Sequence, residues 1–210
     1  MKPLLLTLVS IFISSSVHAQ IAGTVLGEKS HPLGYANVAL YSLPDSVFLT
    51  GTITNELGKY VFAKAANASS TYLKVSAIGY VTAIVHPIMN EQTIKLKPNE
   101  YSLSEVVVSG QRELFKSRGT DIVADILRDF GFADDIIDKL PMVSGEHGSY
   151  NIFGKGSAVV YIGNRKVSDP SELSRISTKD IATIEVISNP GVKYDADTHA
   201  VIKINLKKQH

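Results

Sequence analysis

The chain has no cysteine. Disulfides are therefore excluded, and so is a lipid anchor on a cysteine behind an export signal. Each domain must hold by core packing alone. Charge of one sign is also lacking: Lys and Arg number 21 against 20 Asp and Glu, for a formal net charge of +1. No basic stripe of the kind that neutralises a phosphate backbone is present, which excludes a nucleic-acid interface. Small clusters such as Lys207-Lys208 and Asp134-Asp135 read as solvated surface. The apolar run at the amino terminus, Leu4 to Ile13, is broken by Thr7 and Ser10. It falls short of the about 20 apolar residues that a membrane-spanning helix needs.

Patterns that carry chemistry are equally scarce. His31, His86, His147 and His199 do not stand at metal-ligand spacing from another His or Glu, and the absence of His-x-x-Glu argues against a zinc carboxypeptidase. No Gly-x-Ser-x-Gly elbow supports a serine hydrolase. Gly154-Lys155-Gly156-Ser157 has the letters of a phosphate loop, but a strand pattern follows it where a helix is required. Asp121, Asp125, Asp129, Asp134, Asp135 and Asp138 lack a calcium-loop glycine pattern and read as a polar face. Asn67-Ala68-Ser69 matches a glycosylation sequon and reads as a loop between strands. No catalytic residue, metal ligand or cofactor site is assigned, and an enzyme is not expected.

What is present begins with an export signal. Lys2 supplies the positive start, Leu4 to Ile13 the apolar centre and Val17-His18-Ala19 the cleavage site, so residues 1–19 are expected to be removed. From 20 to 98 the sequence reads all-β. Strand-like runs recur at Ile21–Leu26, Ala36–Tyr41, Val47–Thr54, Tyr60–Ala63, Tyr72–Ala77, Thr82–Val85 and Thr93–Leu96. Turn residues such as Pro32-Leu33-Gly34 and Asn55-Glu56-Leu57-Gly58 separate them, which predicts a β-sandwich.

Residues 99–119 read as a linker that contains a β-branched stretch, Glu105-Val106-Val107-Val108. From Thr120 the period becomes helical. Ile122, Ile126 and Phe130 share a face with Val123 and Leu127, which predicts a helix up to Gly131. A second short helix is expected over Asp134–Leu140. Gly145 to Gly156 reads as a loop, and Ala158–Ile162 as a strand. Asp169-Pro170-Ser171-Glu172 predicts a capped helix start with Glu172 reaching back to the cap, and Ser177-Thr178-Lys179-Asp180 repeats the device. Ile184 and Val186 alternate with Thr183 and Glu185, and Ile202, Ile204 and Leu206 with Lys203 and Asn205. Both are strands with one buried face, punctuated by Asn189-Pro190-Gly191. Helices on a small mixed sheet predict an α+β domain over 120–208.

Two resemblances follow. Gly23-Thr24-Val25, Pro32-Leu33-Gly34-Tyr35-Ala36-Asn37-Val38, Asn55-Glu56-Leu57-Gly58-Lys59-Tyr60 and Ala77-Ile78-Gly79-Tyr80 together resemble the carboxypeptidase regulatory-like domain, a transthyretin-like sandwich. Glu185-Val186-Ile187-Ser188-Asn189-Pro190-Gly191-Val192-Lys193-Tyr194-Asp195 followed by Ala200–Lys208 resembles the plug domain of TonB-dependent outer-membrane receptors. The implied fold class is multidomain: an all-β transthyretin-like or immunoglobulin-like sandwich followed by a small α+β plug.

The implied function is the periplasmic and plug portion of a receptor for active uptake across the outer membrane, with the barrel that a plug occupies missing from this chain. In that scheme Glu105, Val106, Val107 and Val108 add as a strand to the carboxy-terminal domain of TonB. The same residues read equally as the first strand of the plug sheet. A free-standing periplasmic binding or adaptor protein of the same two domains is the alternative. The transported ligand is not legible.

Overall fold

The computed structural model describes residues 20–62, 68–99, 115–118, 121–125, 131–195 and 197–208. The molecule is β-rich and holds several sheets. The expected signal, the sequon at Asn67 and the stretch Glu105–Val108 lie outside the described residues, so those readings stay as expectations.

The amino-terminal half consists of two sheets. Strands β1 (Ala22–Leu26), β4 (Lys59–Val61) and β7 (Glu91–Lys95) form one, in the order β4-β1-β7, with β1 parallel to β7. Strands β2 (Asn37–Ser42), β3 (Phe48–Ile53), β5 (Thr71–Ser76) and β6 (Ala83–Val85) form the other, in the order β3-β2-β5-β6 and antiparallel throughout. Val25, Val38, Leu40, Tyr60, Phe62, Leu73, Val75, Ile94 and Leu96 meet between the sheets as one core. Each predicted strand of this half has its counterpart, because β-branched and aromatic residues alternate there between marked turns.

The carboxy-terminal half is built on a sheet of eight strands. In chain order these are β8 (Phe115–Arg118), β9 (Asp121–Asp125), β10 (Val143–Glu146), β11 (Ser149–Ile152), β12 (Gly156–Ile162), β13 (Arg165–Lys166), β14 (Ile181–Ile187) and β15 (Ala200–Leu206). They lie in the order β10-β11-β12-β15-β14-β9-β8, with β13 pairing β12. Ile184, Val186, Ile202 and Ile204 face inward as the alternation predicts, and they pack on Ile136, Ile137, Leu140, Tyr150, Ile152 and Leu173. Leu206, at the end of β15, is exposed.

Several expectations are corrected. Asp121–Asp125 is a strand, not the start of a helix: it runs antiparallel to β14, with Ile122 opposite Val186 and Ala124 opposite Ile184. Ladder hydrogen bonds to β14 outweigh a helical period that spans only a few turns, and Ile122 and Val123 are β-branched. The remainder of that expected helix, 126–130, lies outside the described residues. The expected loop 145–156 is largely strand, a β10–β11 hairpin followed by the start of β12.

The second helix is one turn, α1 (Asp134–Ile137), and the capped starts at Asp169 and Ser177 lead into short 3-10 turns, Pro170–Arg175 and Thr178–Asp180. The caps themselves are as read: Asp169 accepts from Ser171 N at 2.9 Å and Ser177 from Lys179 N at 3.3 Å. Glu172 reaches back as read: the Asp169 backbone amide donates to its carboxylate, and Arg165 together with that amide holds the carboxyl below the usual carboxylate range. The same carboxylate also pairs with Arg165 across the turn. Among the described residues of this half helix is therefore a minor component.

Candidate functional site

The four-stranded sheet is covered on both faces along β2 and β5. Val38, Leu40, Leu73 and Val75 point into the sandwich core. The alternate positions, Asn37, Ala39 and Tyr41 on β2 and Ser76, Lys74 and Tyr72 opposite them on β5, point the other way. An outer face of a sandwich sheet is ordinarily wet, yet Asn37 is 2% and Ala39 1% exposed. The carboxy-terminal half closes over them with the segment from α1 to β11.

Asn37 is the centre of this seam. Its Nδ2 donates to the carbonyls of Asp138 at 3.2 Å and Leu140 at 2.7 Å, while its Oδ1 accepts from Met142 N at 2.9 Å. Ser76 Oγ donates to the same Asp138 carbonyl at 2.9 Å. A carboxamide suits this place because it offers donors and an acceptor together, and the turn after α1 has backbone groups of both kinds to satisfy. On one flank Ile78 of the sandwich packs against the core of the other half.

Aromatic rings line the opposite flank. Tyr41 stacks on Tyr72 with centroids 5.3 Å apart, and Phe48 stacks on Phe153 at 5.8 Å. Tyr41 Oη and Ser144 Oγ share a hydrogen bond of 2.6 Å. Burial raises the Tyr41 phenol above its usual range, with the Ser144 bond opposing. Phe153 lies flat over Gly51 of β3: a Cβ there would come within 2.4 Å of its ring, so only glycine permits the approach. A shallow groove between Thr50, Thr52, Met142 and Phe153 opens beside it.

Charge enters the seam at one point. Lys74 Nζ lies 3.9 Å from Asp138 Oδ2 and 3.9 Å from Glu146 Oε2. Burial pushes the Asp138 carboxyl up to about 6, against the pull of Lys74 and Lys139, and Glu146 and Asp134 push in the same direction as burial. Nearby, Tyr150 donates to Asp134, and burial together with that carboxylate holds its phenol protonated. The arrangement offers no nucleophile beside a base. Its chemistry is recognition of backbone.

Asn189-Pro190-Gly191 and the residues after it occupy the connection from β14 to β15, which is largely exposed and is tied down by a few surface contacts. Lys155 Nζ donates to Asn189 Oδ1 at 2.7 Å, Tyr194 sets its ring edge-on to Tyr161 at 5.2 Å, and Lys166 pairs with Asp195 at 3.4 Å. Gly156, the last glycine of the apparent phosphate loop, opens strand β12.

The segment that holds Glu105, Val106, Val107 and Val108 is placed only by its flanks. The sandwich ends where Pro98 bridges to Tyr80 and Asn99 N donates to Gly79 O at 2.9 Å. The next described strand is β8, which forms one edge of the large sheet. The segment thus joins the sandwich to a sheet edge.

The sequence pattern points to none of Asn37, Ser76, Lys74, Ser144 or Phe153, and Asp138 reads there only as part of a polar run. The one available signal was Asn37 itself, a carboxamide inside the apolar run Ala36–Tyr41. No protein-family model matches the chain, and no curated protein matches it.

Proposed function

We propose that this chain is the amino-terminal part of a TonB-dependent outer-membrane receptor, comprising a regulatory-like sandwich, a TonB-contact segment and a plug. The observation that carries the reading is the run from Glu185 through Asn189-Pro190-Gly191-Val192-Lys193-Tyr194-Asp195 into Ala200–Leu206. Its strands pair antiparallel at the middle of a mixed sheet, and its exposed connection is tied to the sheet by Lys155, Tyr161 and Lys166. The order of parts adds support: a seven-stranded β unit, then a short linker rich in Val, then a sheet whose edge strand the linker enters.

In this reading the protein sits on the periplasmic side of the outer membrane. Glu105, Val106, Val107 and Val108 pair as an added strand with the carboxy-terminal domain of TonB, and the plug gates a surrounding barrel. β-Branched side chains keep such a peptide extended and lower the cost of ordering it. No covalent step is involved.

Calorimetric titration of the chain with the TonB carboxy-terminal domain tests this. Binding is expected, and Val107→Pro is expected to abolish it by removing a backbone donor and adding a ring. No heat of binding with the wild-type chain, or equal affinity with Val107→Pro, counts against the assignment.

The seam at Asn37 favours a second reading, a free-standing periplasmic adaptor, because it ties the two halves together through buried polar contacts without any barrel. Recovery of the chain from cells wholly in the soluble periplasmic fraction supports the adaptor. Recovery wholly in the outer-membrane fraction supports the receptor.

A further inference from the structure

We propose that the seam is an acid-tightened clasp: protonation of Asp138 strengthens the docking of the α1–β11 segment onto the outer face of the β2–β5 pair, and ionisation of Asp138 loosens it. The inference needs no partner and stands apart from the receptor reading.

The geometry carries it. Asn37 and Ser76 both hold the Asp138 carbonyl, at 3.2 and 2.9 Å, so this residue cannot leave the seam while the halves are docked. Its side chain is then only 15% exposed. The cation that faces it, Lys74 on β5, stands 3.9 Å away and is shared with Glu146 at the same distance. That separation exceeds a charge-assisted hydrogen bond of about 2.8 Å, so compensation for lost water is partial.

The other groups that face Asp138 are Lys139 beside it, Asp134 on α1, Glu146 on β10, Tyr41 on β2 and Tyr150 on β11. Among these Lys139 alone adds positive charge. Docking therefore places a carboxylate where its neutral form is preferred.

The sign follows by linkage. With the seam closed the carboxyl stands at about 6, above its ordinary 3.8, and burial is the largest cause. Undocking returns it to water and to its ordinary range. The stabilisation of the docked state is fully present below the ordinary value and is lost as pH rises through about 6. Between pH 4 and pH 7.5 the docking equilibrium is expected to weaken on the order of a hundredfold.

The Met142 amide reports on the clasp, since it donates to Asn37 Oδ1 only across the closed seam. Hydrogen exchange of the full chain, corrected for intrinsic rates, is to be followed from pH 5 to 7.5, with the Ile202 amide of β15 as a control for global opening. Protection at Met142 is expected to fall about tenfold over that range and to stay below that of Ile202 at every pH, which marks it as a reporter of seam opening rather than of global unfolding. Asp138→Asn should hold Met142 at high protection throughout. Lys74→Gln should lower protection at pH 7.5 and recover it at pH 5.

A flat wild-type profile overturns the proposal, and so does a pH dependence that survives Asp138→Asn. Should a variant fail to fold, titration of the wild-type Asp138 carboxyl carbon by NMR decides the matter: a midpoint in the ordinary carboxylate range overturns the clasp, and an elevated one supports it.

Discussion

Asn37 and Ser76 stand opposite each other on β2 and β5, and both side chains donate to the carbonyl of Asp138, 101 and 62 residues away in sequence. A cross-strand pair thus grips one peptide group of the other half. The grip reads backbone, so it fixes where the turn after α1 sits without depending on the side chains of that turn.

Removing Asn37 leaves the Leu140 carbonyl and the Met142 amide without their partner in a buried place. Asn37→Ala is expected to cost about 3 kcal/mol, given a desolvation cost of about 1–3 kcal/mol for each orphaned group. Asn37→Asp should be worse, because a carboxylate cannot donate to the Asp138 and Leu140 carbonyls. Ser76→Ala should cost about 1 kcal/mol. The double variant Asn37→Ala/Ser76→Ala should cost more than the sum, since each single variant leaves the Asp138 carbonyl one donor and only the double leaves it none. Urea unfolding of each variant measures these differences.

The contact of Phe153 with Gly51 makes a second, separable claim. Gly51→Val forces the ring away, because its position leaves a Cβ only 2.4 Å from the Phe153 ring. A loss of about 2–3 kcal/mol is expected, as for other overpacked sites. Phe153→Ala removes the obstacle, so in the Phe153→Ala background Gly51→Val should cost less than 1 kcal/mol. Additive costs in a double-mutant cycle would show that the ring does not depend on that glycine.

The sandwich was legible in the sequence because its strands bury one face against one core, which is the condition under which alternation appears. β2 shows where this ends. Val38 and Leu40 mark the inner face, but Asn37, Ala39 and Tyr41 are covered by a half of the chain about a hundred residues away in sequence, and no local pattern announces such a cover. Asp121–Asp125 was misread because Ile122 and Val123 suit either period, and the β14 strand that decides between them is distant in sequence. The β10–β11 hairpin was hidden by its own turn residues, since glycine and serine at 144–149 signal a loop and a tight turn alike. Ile184, Val186, Ile202 and Ile204 were read correctly because strict alternation there coincides with a one-sided core.

Tyr150 predicts an alkaline effect. Its phenol is raised by burial and by the bond to Asp134, so the folded state holds the proton more tightly than the unfolded one. Such a group contributes stability that is complete below the ordinary phenol value and is lost as pH rises above it. Burial raises Tyr41 and Tyr60 in the same sense. Stability is therefore expected to fall steeply above about pH 10. Tyr150→Phe should lower stability at pH 7 by about 1–2 kcal/mol, from the lost hydrogen bond, and should flatten part of the alkaline slope. Urea midpoints collected from pH 7 to 11 test both parts, and an unchanged alkaline slope in Tyr150→Phe would refute the second.

The turn that joins β10 to β11 separates two residues of opposite tolerance. His147 and Gly148 both have positive φ, 51° and 82°, between the paired residues Glu146 and Ser149. That is the geometry of a two-residue type I′ turn, whose twist matches the strands on either side. Asparagine is favoured at the first of these positions, so His147→Asn should be neutral or stabilise by about 0.5 kcal/mol. Gly148 has a second constraint, since a Cβ there would lie 2.5 Å from Pro170 Cβ, on the 3-10 turn packed beneath. Gly148→Ala should therefore cost more than the about 1 kcal/mol of backbone strain alone. Replacing the packed side chain by Pro170→Gly in that background should recover only the steric share. Equal and small effects at both turn positions, measured by thermal unfolding, would mean that this hairpin does not set the register that carries Ser144 and Glu146 into the seam.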